Sequence, residues 1–176
     1  MGTKQKGSGA LKVTLPSDLE ILMTRVFDAP RRLVFEAMSK PEYIRRWWVC
    51  FDGFTMPVCE IDFRVGGRWR FVSRAPDGSE FGFHGEYREI AAPERIVQTE
   101  IFEPFPDEIT VVTLTLEDRG DTTLYTCHVL HTTKEGRDGH INAGMETGAD
   151  LALDRLEEVA KGLGARSTQA SASPMA

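Results

Sequence analysis

Between Gly144 and Leu163 the apolar positions recur at helical spacing. Met145, Ala149, Ala152, Leu153, Leu156, Val159, Ala160 and Leu163 fall in one arc of a wheel with about 3.6 residues per turn. Glu146, Asp150, Asp154, Glu157, Glu158 and Lys161 fill the other side, which predicts a long helix with one buried stripe and one solvated face. Glu157 precedes Lys161 by one turn, the order that favours a surface ion pair, and Gly162 and Gly164 predict the stop. Upstream the period changes to two. Leu19 to Phe27, Phe54 to Phe63, Arg68 to Ser73, Glu80 to Ile90, Arg95 to Phe102, Ile109 to Glu117 and Thr122 to Leu130 read as strands separated by Gly, Pro and Asp turns.

One helical insert breaks the run of strands. Asp28-Ala29-Pro30 reads as a cap followed by a first-turn proline, and Leu33, Val34, Ala37 and Met38 form a narrow apolar face. Ser39-Lys40-Pro41 ends that helix and opens a second short one to about Trp48. The order is strand, two short helices, six strands and a long helix. Short connections imply antiparallel neighbours, so the chain is α+β: a sheet of about seven strands that must bury the stripe of one C-terminal helix. So many antiparallel strands curl, and space under a curled sheet becomes a pocket wherever side chains do not fill it.

Residues 1–16 and 165–176 are rich in small and polar residues and are expected to be disordered flanks of one domain over 17–164. The chain has 176 residues, 41% of them hydrophobic, enough for one core. Its net charge of -6 argues against nucleic acid. The absence of a long apolar run argues against a signal peptide or a membrane span. Cys50, Cys59 and Cys127 form no CxxC pair and suit free thiols in a cytoplasmic protein.

The chemistry is sparse. In Gly66-Gly67-Arg68-Trp69-Arg70-Phe71 the glycines make a turn and the alternation sends Trp69 and Phe71 inward, Arg68 and Arg70 outward. Of the adjacent Trp47 and Trp48, one is expected to point in and the other away. Gly144 and Gly148 are expected to let the terminal helix approach the sheet, with room for a ligand as the other reading. His84, His128, His131 and His140 lack the spacing of a metal site, and His84 and Glu86 are expected on the solvated face. Glu60, Asp62, Tyr87, Glu100 and His128 are polar groups within apolar strands, the places to look for an acid or base. No nucleophile elbow, P-loop or dinucleotide fingerprint is present, so no catalytic residue, metal or cofactor is assigned.

Phe27-Asp28-Ala29-Pro30 with Val34-Phe35-Glu36-Ala37 resembles the opening of the helix-grip superfamily, also called START-like, SRPBCC or Bet v 1-like. Trp47-Trp48, Asp62, the GGRWRF hairpin, Pro76-Asp77-Gly78, Gly85-Glu86-Tyr87, Pro93-Glu94-Arg95-Ile96 and Gly144-Met145-Glu146-Thr147-Gly148 are similar, in order and spacing, to one branch of it. That branch comprises proteins like the C-terminal domain of the heat-shock-protein-90 ATPase activator. The resemblance spans Leu19 to Leu163. It implies the helix-grip fold: a curved antiparallel sheet around a long C-terminal helix. The superfamily holds lipid binders, aromatase/cyclases, hormone receptors and co-chaperones.

The reading that follows is a binder of a small hydrophobic or amphipathic ligand between sheet and terminal helix. The residues expected to line that site are Trp48, Trp69, Phe71, Phe83, Tyr87, Met145, Ala149 and Leu153. Two alternatives remain beside it. One is an aromatase/cyclase-like enzyme acting on a polyketide-type substrate, which needs an internal titratable group. The other is a co-chaperone-like domain, for which the resemblance implies a chaperone contact. Oligomeric state is left unassigned.

Overall fold

The computed structural model describes residues 9–48 and 51–171. Eight strands form one sheet: β1 (Lys12–Thr14), β2 (Glu20–Phe27), β3 (Thr55–Ile61), β4 (Arg68–Arg74), β5 (Glu80–Ala91), β6 (Arg95–Phe102), β7 (Ile109–Arg119) and β8 (Thr122–Leu130). Helices α1 (Arg31–Ser39) and α2 (Pro41–Trp47) follow β2, and α3 (Lys134–Asn142) and α4 (Met145–Ser171) close the chain. The spatial order is β1-β2-β8-β7-β6-β5-β4-β3, every pair antiparallel. All seven expected strands are present, and the α+β helix-grip architecture is the observed one.

Alternation sorts the faces. On β2, Ile21, Met23, Arg25 and Phe27 are buried. On β8, Thr123, Tyr125, Cys127 and Val129 are buried. With Ile96, Val112, Leu116, Trp69 and Phe71 they build the concave face. From α4, Leu153, Leu156, Val159, Ala160 and Leu163 complete the core, together with Leu33, Val34 and Ala37 of α1. At the GGRWRF turn Gly66 takes a φ of 82°, its N–H donates to the Tyr87 carbonyl at 2.7 Å, and Trp69 and Phe71 face in as expected.

Four boundaries differ from the sequence reading. Lys12–Thr14, placed among the N-terminal flank, pairs with Leu22, Met23 and Thr24 as an edge strand. Proline at 16 ends the strand but does not prevent it. Gly162 and Gly164 do not stop α4, which continues to Ser171 and into the expected C-terminal flank. A glycine weakens a helix that has no tertiary support, but here Ala160 and Leu163, on either side of Gly162, are buried in the core. Helix α3 was not foreseen, because Lys134–Asn142 has no apolar period. It is held by the Thr133 side chain, which accepts from the Gly136 N–H at 3.0 Å, and by buried Arg137, which donates to the Ser17 carbonyl at 2.6 Å. Asp28 does not cap α1, whose cap position is Pro30. Its own N–H donates to Glu157 at 3.0 Å and its carboxylate accepts from Lys161 at 3.1 Å, so Glu157 and Lys161 join Asp28 rather than pairing on the surface.

Among the described residues, no helix is long and apolar enough to cross a membrane. Cys59 and Cys127 are buried free thiols; Cys50 lies outside the described residues.

Candidate functional site

Helix α4 lies with its two halves in different surroundings. It starts beside the sheet end where β8 finishes and where Val111 pairs with Leu130 and Glu100 with Thr110. It runs toward the opposite end, where Asp28 meets Glu157. The C-terminal half is sealed: every stripe residue from Leu153 to Leu163 is buried, and α1 and α2 pack on it. The N-terminal half is not. Met145, Ala149 and Ala152 face the core but are only half-buried, and Leu151 is exposed.

The sheet beneath shows the same difference. Leu114 sits between buried Val112 and Leu116 on the concave face of β7, yet is half-buried. Phe83 and Phe102, paired across β5 and β6 with ring centres 4.9 Å apart, are also half-buried. Inward-facing side chains on both walls are therefore incompletely covered by protein. Two surface depressions are also present. One of about 300 Å³ is lined by Glu60, Arg68, Trp69, Arg70, His84 and Gly85, and one of about 230 Å³ by the 104–108 loop.

An aromatic cluster borders this end. Trp48 reaches Phe71 at 5.0 Å, Phe83 at 5.9 Å and Trp69 at 6.4 Å between ring centres, mostly edge to face. Trp47 packs on Trp48 at 5.8 Å and donates its indole N–H to the Ala37 carbonyl at 2.9 Å. Both tryptophans thus engage the fold, against the expectation that one would point away; α2 ends at Trp47 and frees Trp48 to reach β4 and β5. Four of the expected ligand residues come together around Trp48, whose ring meets those of Trp69, Phe71 and Phe83. Tyr87 stands apart, buried against Phe63 at 5.1 Å. Met145, Ala149 and Leu153 share one face of α4, the last of them already sealed in the core.

Gly144 and Gly148 do not serve a close approach. A methyl group built on either meets nothing within 4 Å. Gly144, at φ 85°, makes the turn between α3 and α4, and Gly148 borders open space.

The decisive polar group is Glu100. Opposite pairs in a sheet share a face, and Glu100 pairs with Thr110 in the row next to Gln98 and Val112, so its side chain points to the concave side. The register running from His84 and Ile101 to Tyr87 and Gln98 sets Gly85 across from it, and Trp69 lies beyond Gly85. A side chain at Gly85 would meet the Thr99 carbonyl at 1.8 Å and the Trp69 indole nitrogen at 2.8 Å, so only glycine fits between them. That indole N–H is buried and has no acceptor. Burial pushes the Glu100 carboxyl up to about 7. Its charge is felt at Tyr125 and Cys127 on β8, whose hydroxyl and thiol are themselves raised first by burial, the thiol to about 12. No cation, and no hydrogen-bond donor to the carboxyl, stands beside Glu100 among the described residues.

Of the other polar candidates, Tyr87 is buried, and Glu60, Asp62 and His128 face outward. Glu60 and Asp62 are exposed. His128 meets Glu20 at 3.3 Å on the outer side. His84 lies by Glu103, which Arg70 holds at 2.8 Å. His131 and His140 approach each other at 3.1 Å away from the aromatic cluster, and both are lowered by burial, His140 to about 4. Among the described residues no group of three or more His, Cys, Asp or Glu side chains could hold a metal.

The sequence reading also missed Arg25. It is buried on the concave face, where its guanidinium lies 2.7 Å from Asp154, 3.8 Å from Asp150 and 3.8 Å from Glu157. These acids had been assigned to a solvated face. The signal was the break in the alternation Ile21, Met23, Arg25, Phe27, where one inward position carries a charge.

Comparison with known proteins agrees with this architecture. The family model described as "Activator of Hsp90 ATPase homolog 1-like protein" matches residues 28–161. No curated protein matches the chain. Among solved structures, a protein of Nitrosomonas europaea is 25% identical with a TM-score of 0.74, over 86% of this chain and 99% of that one. A protein of Rhodobacter sphaeroides is 24% identical with a TM-score of 0.79, over 87% and 99%. One from Arthrobacter aurescens is 23% identical with a TM-score of 0.75, over 86% and 91%.

Proposed function

This chain belongs to the activator of Hsp90 ATPase homolog 1-like family, and from that premise we propose that it binds a small hydrophobic or amphipathic molecule. The site lies between the concave face of the sheet and the N-terminal half of α4. The supporting observation is the pair of incompletely covered walls: Phe83, Phe102 and Leu114 on the sheet, Met145, Ala149 and Ala152 on the helix. Apolar surface left this way inside a fold favours an apolar occupant, with aromatic rings as adaptable walls. The buried thiols Cys59 and Cys127 suit a cytoplasmic setting.

The test is saturable binding of an environment-sensitive apolar dye, displaced by members of a lipid and phenol panel. Ala149→Phe, which fills the helix side of the site, should abolish dye binding while leaving the fold intact by circular dichroism. Dye binding that survives Ala149→Phe, or no saturable ligand at all, would overturn the reading.

Glu100 gives the cyclase-like alternative a specific footing, since an inward carboxyl that titrates near neutrality can exchange protons with a bound substrate. Turnover of a polyketide-type chain that disappears in Glu100→Gln, with binding retained, would establish it. A chaperone contact rests on the family description, and its test is stimulation of a chaperone ATPase by added protein.

A further inference from the structure

We infer that the ligand of this site is a lipophilic amine, whose protonated nitrogen pairs with Glu100 while its apolar body lies against Phe83, Phe102 and the Trp48 cluster. The inference rests on the binding reading above and adds the chemistry of the head group.

Among the described residues, Arg25 and Glu100 are charged groups on the concave face, and only Arg25 has opposite charges beside it. Arg25 lies among Asp150, Asp154 and Glu157, so its charge is answered by three carboxylates, although its Nε has no hydrogen-bond acceptor. Glu100 has no such company. The other titratable groups that face it are Tyr125 and Cys127 of β8, both held neutral by burial. Across β5 stands Gly85, and across β7 stands Thr110, whose hydroxyl donates to the Glu100 carbonyl at 3.1 Å and not to its carboxylate. On α4 the acids Asp150 and Asp154 turn to Arg25, and the positions facing the core are Met145 and Ala149.

Glu100 is half-buried in an apolar setting, where a carboxylate without a partner is destabilised, and a ligand that supplies the missing cation removes that cost. The surrounding rings reinforce the choice, because aromatic faces attract a cation as well as an apolar body. The net charge of -6 draws cations toward the protein. An anionic head, such as a fatty acid, would meet a like charge with no cation to offset it.

The experiment uses the full chain and three probes of one shape: naphthylmethylamine, naphthylmethanol and naphthoate, titrated by calorimetry. At about pH 8 the amine should bind roughly ten to a hundred times more tightly than the alcohol, the range of a charge-assisted hydrogen bond. Naphthoate should bind weakest. The advantage of the amine should shrink as the pH falls to about 5 and Glu100 takes up a proton, an internal control that needs no variant. Glu100→Gln, which removes the charge and keeps the shape, should equalise amine and alcohol without weakening the alcohol. Alcohol binding with no preference for the amine, or a preference unchanged in Glu100→Gln, overturns this inference and leaves the binding reading standing. Failure of all three probes overturns both.

Discussion

The two charged groups on the concave face, Arg25 and Glu100, divide the molecule into a closed end and an open end. At the closed end Arg25 draws three carboxylates of α4 onto β2, and the helix stripe from Leu153 to Leu163 is buried. At the open end no cation stands beside Glu100 among the described residues, and the N-terminal half of α4 carries small or flexible residues that are half covered. Buried Arg25, with partners, fixes position; half-buried Glu100, without them, keeps a demand that a ligand cation or a proton can meet. The same helix thus does two tasks, anchoring through its C-terminal half and bordering a site through its N-terminal half.

Breaking the closed end should have the largest effect. Arg25→Ala leaves three acids facing one another and should cost about 3–5 kcal/mol of stability by urea unfolding. A loss below about 1 kcal/mol would mean that apolar packing alone holds α4. Glu100→Gln should act in the other direction, raising stability by roughly 1–3 kcal/mol above neutral pH. Because the folded carboxyl titrates near 7 rather than at its ordinary 4.5, the folded state binds the proton more tightly. Stability is therefore complete at pH below the ordinary value and declines as pH rises through about 7, and the variant should lack that decline.

The His131–His140 pair gives the opposite slope. His140 is lowered from 6.5 to about 4, so its contribution is present above 6.5 and is lost as pH falls toward 4. His140→Gln should flatten that acid limb by about 1–2 kcal/mol in pH-dependent melting, leaving the neutral limb to Glu100. The smallest effect contrasts the two halves of α4 with one substitution. Gly148→Ala places its methyl in open space and should gain about 0.5–1 kcal/mol from helix propensity. Gly164→Ala places it 3.0 Å from the Leu33 side chain and should gain less. Equal gains would show that the closed end is no more tightly packed than the open one.

Much of this architecture was readable in the chain. Leu19 to Leu130 alternates strongly enough to reveal seven strands, and the stripe from Met145 to Leu163 reveals the helix they enclose. Helix α3 was hidden because a cap and one buried arginine hold it rather than an apolar face. Glu100 was legible as a polar residue in an apolar strand, but so were Glu60 and His128, which face outward. Alternation within a strand ranks faces only once the neighbours' register is known. The ion pairing of Asp150, Asp154 and Glu157 with Arg25 was not readable, because a helical wheel shows which residues lie opposite the apolar stripe, not what stands across from them; Asp150 and Asp154 keep nearly half their exposure, and Glu157 is largely covered.

The chain by itself therefore determined the elements, their order and the curved α+β form, since periodicity and turn chemistry act between residues near in sequence. Only the tertiary structure decided which charges have partners. Arg25 and Asp154 are far apart along the chain, and whether a buried charge is answered depends on what the folded backbone brings within a few ångströms of it.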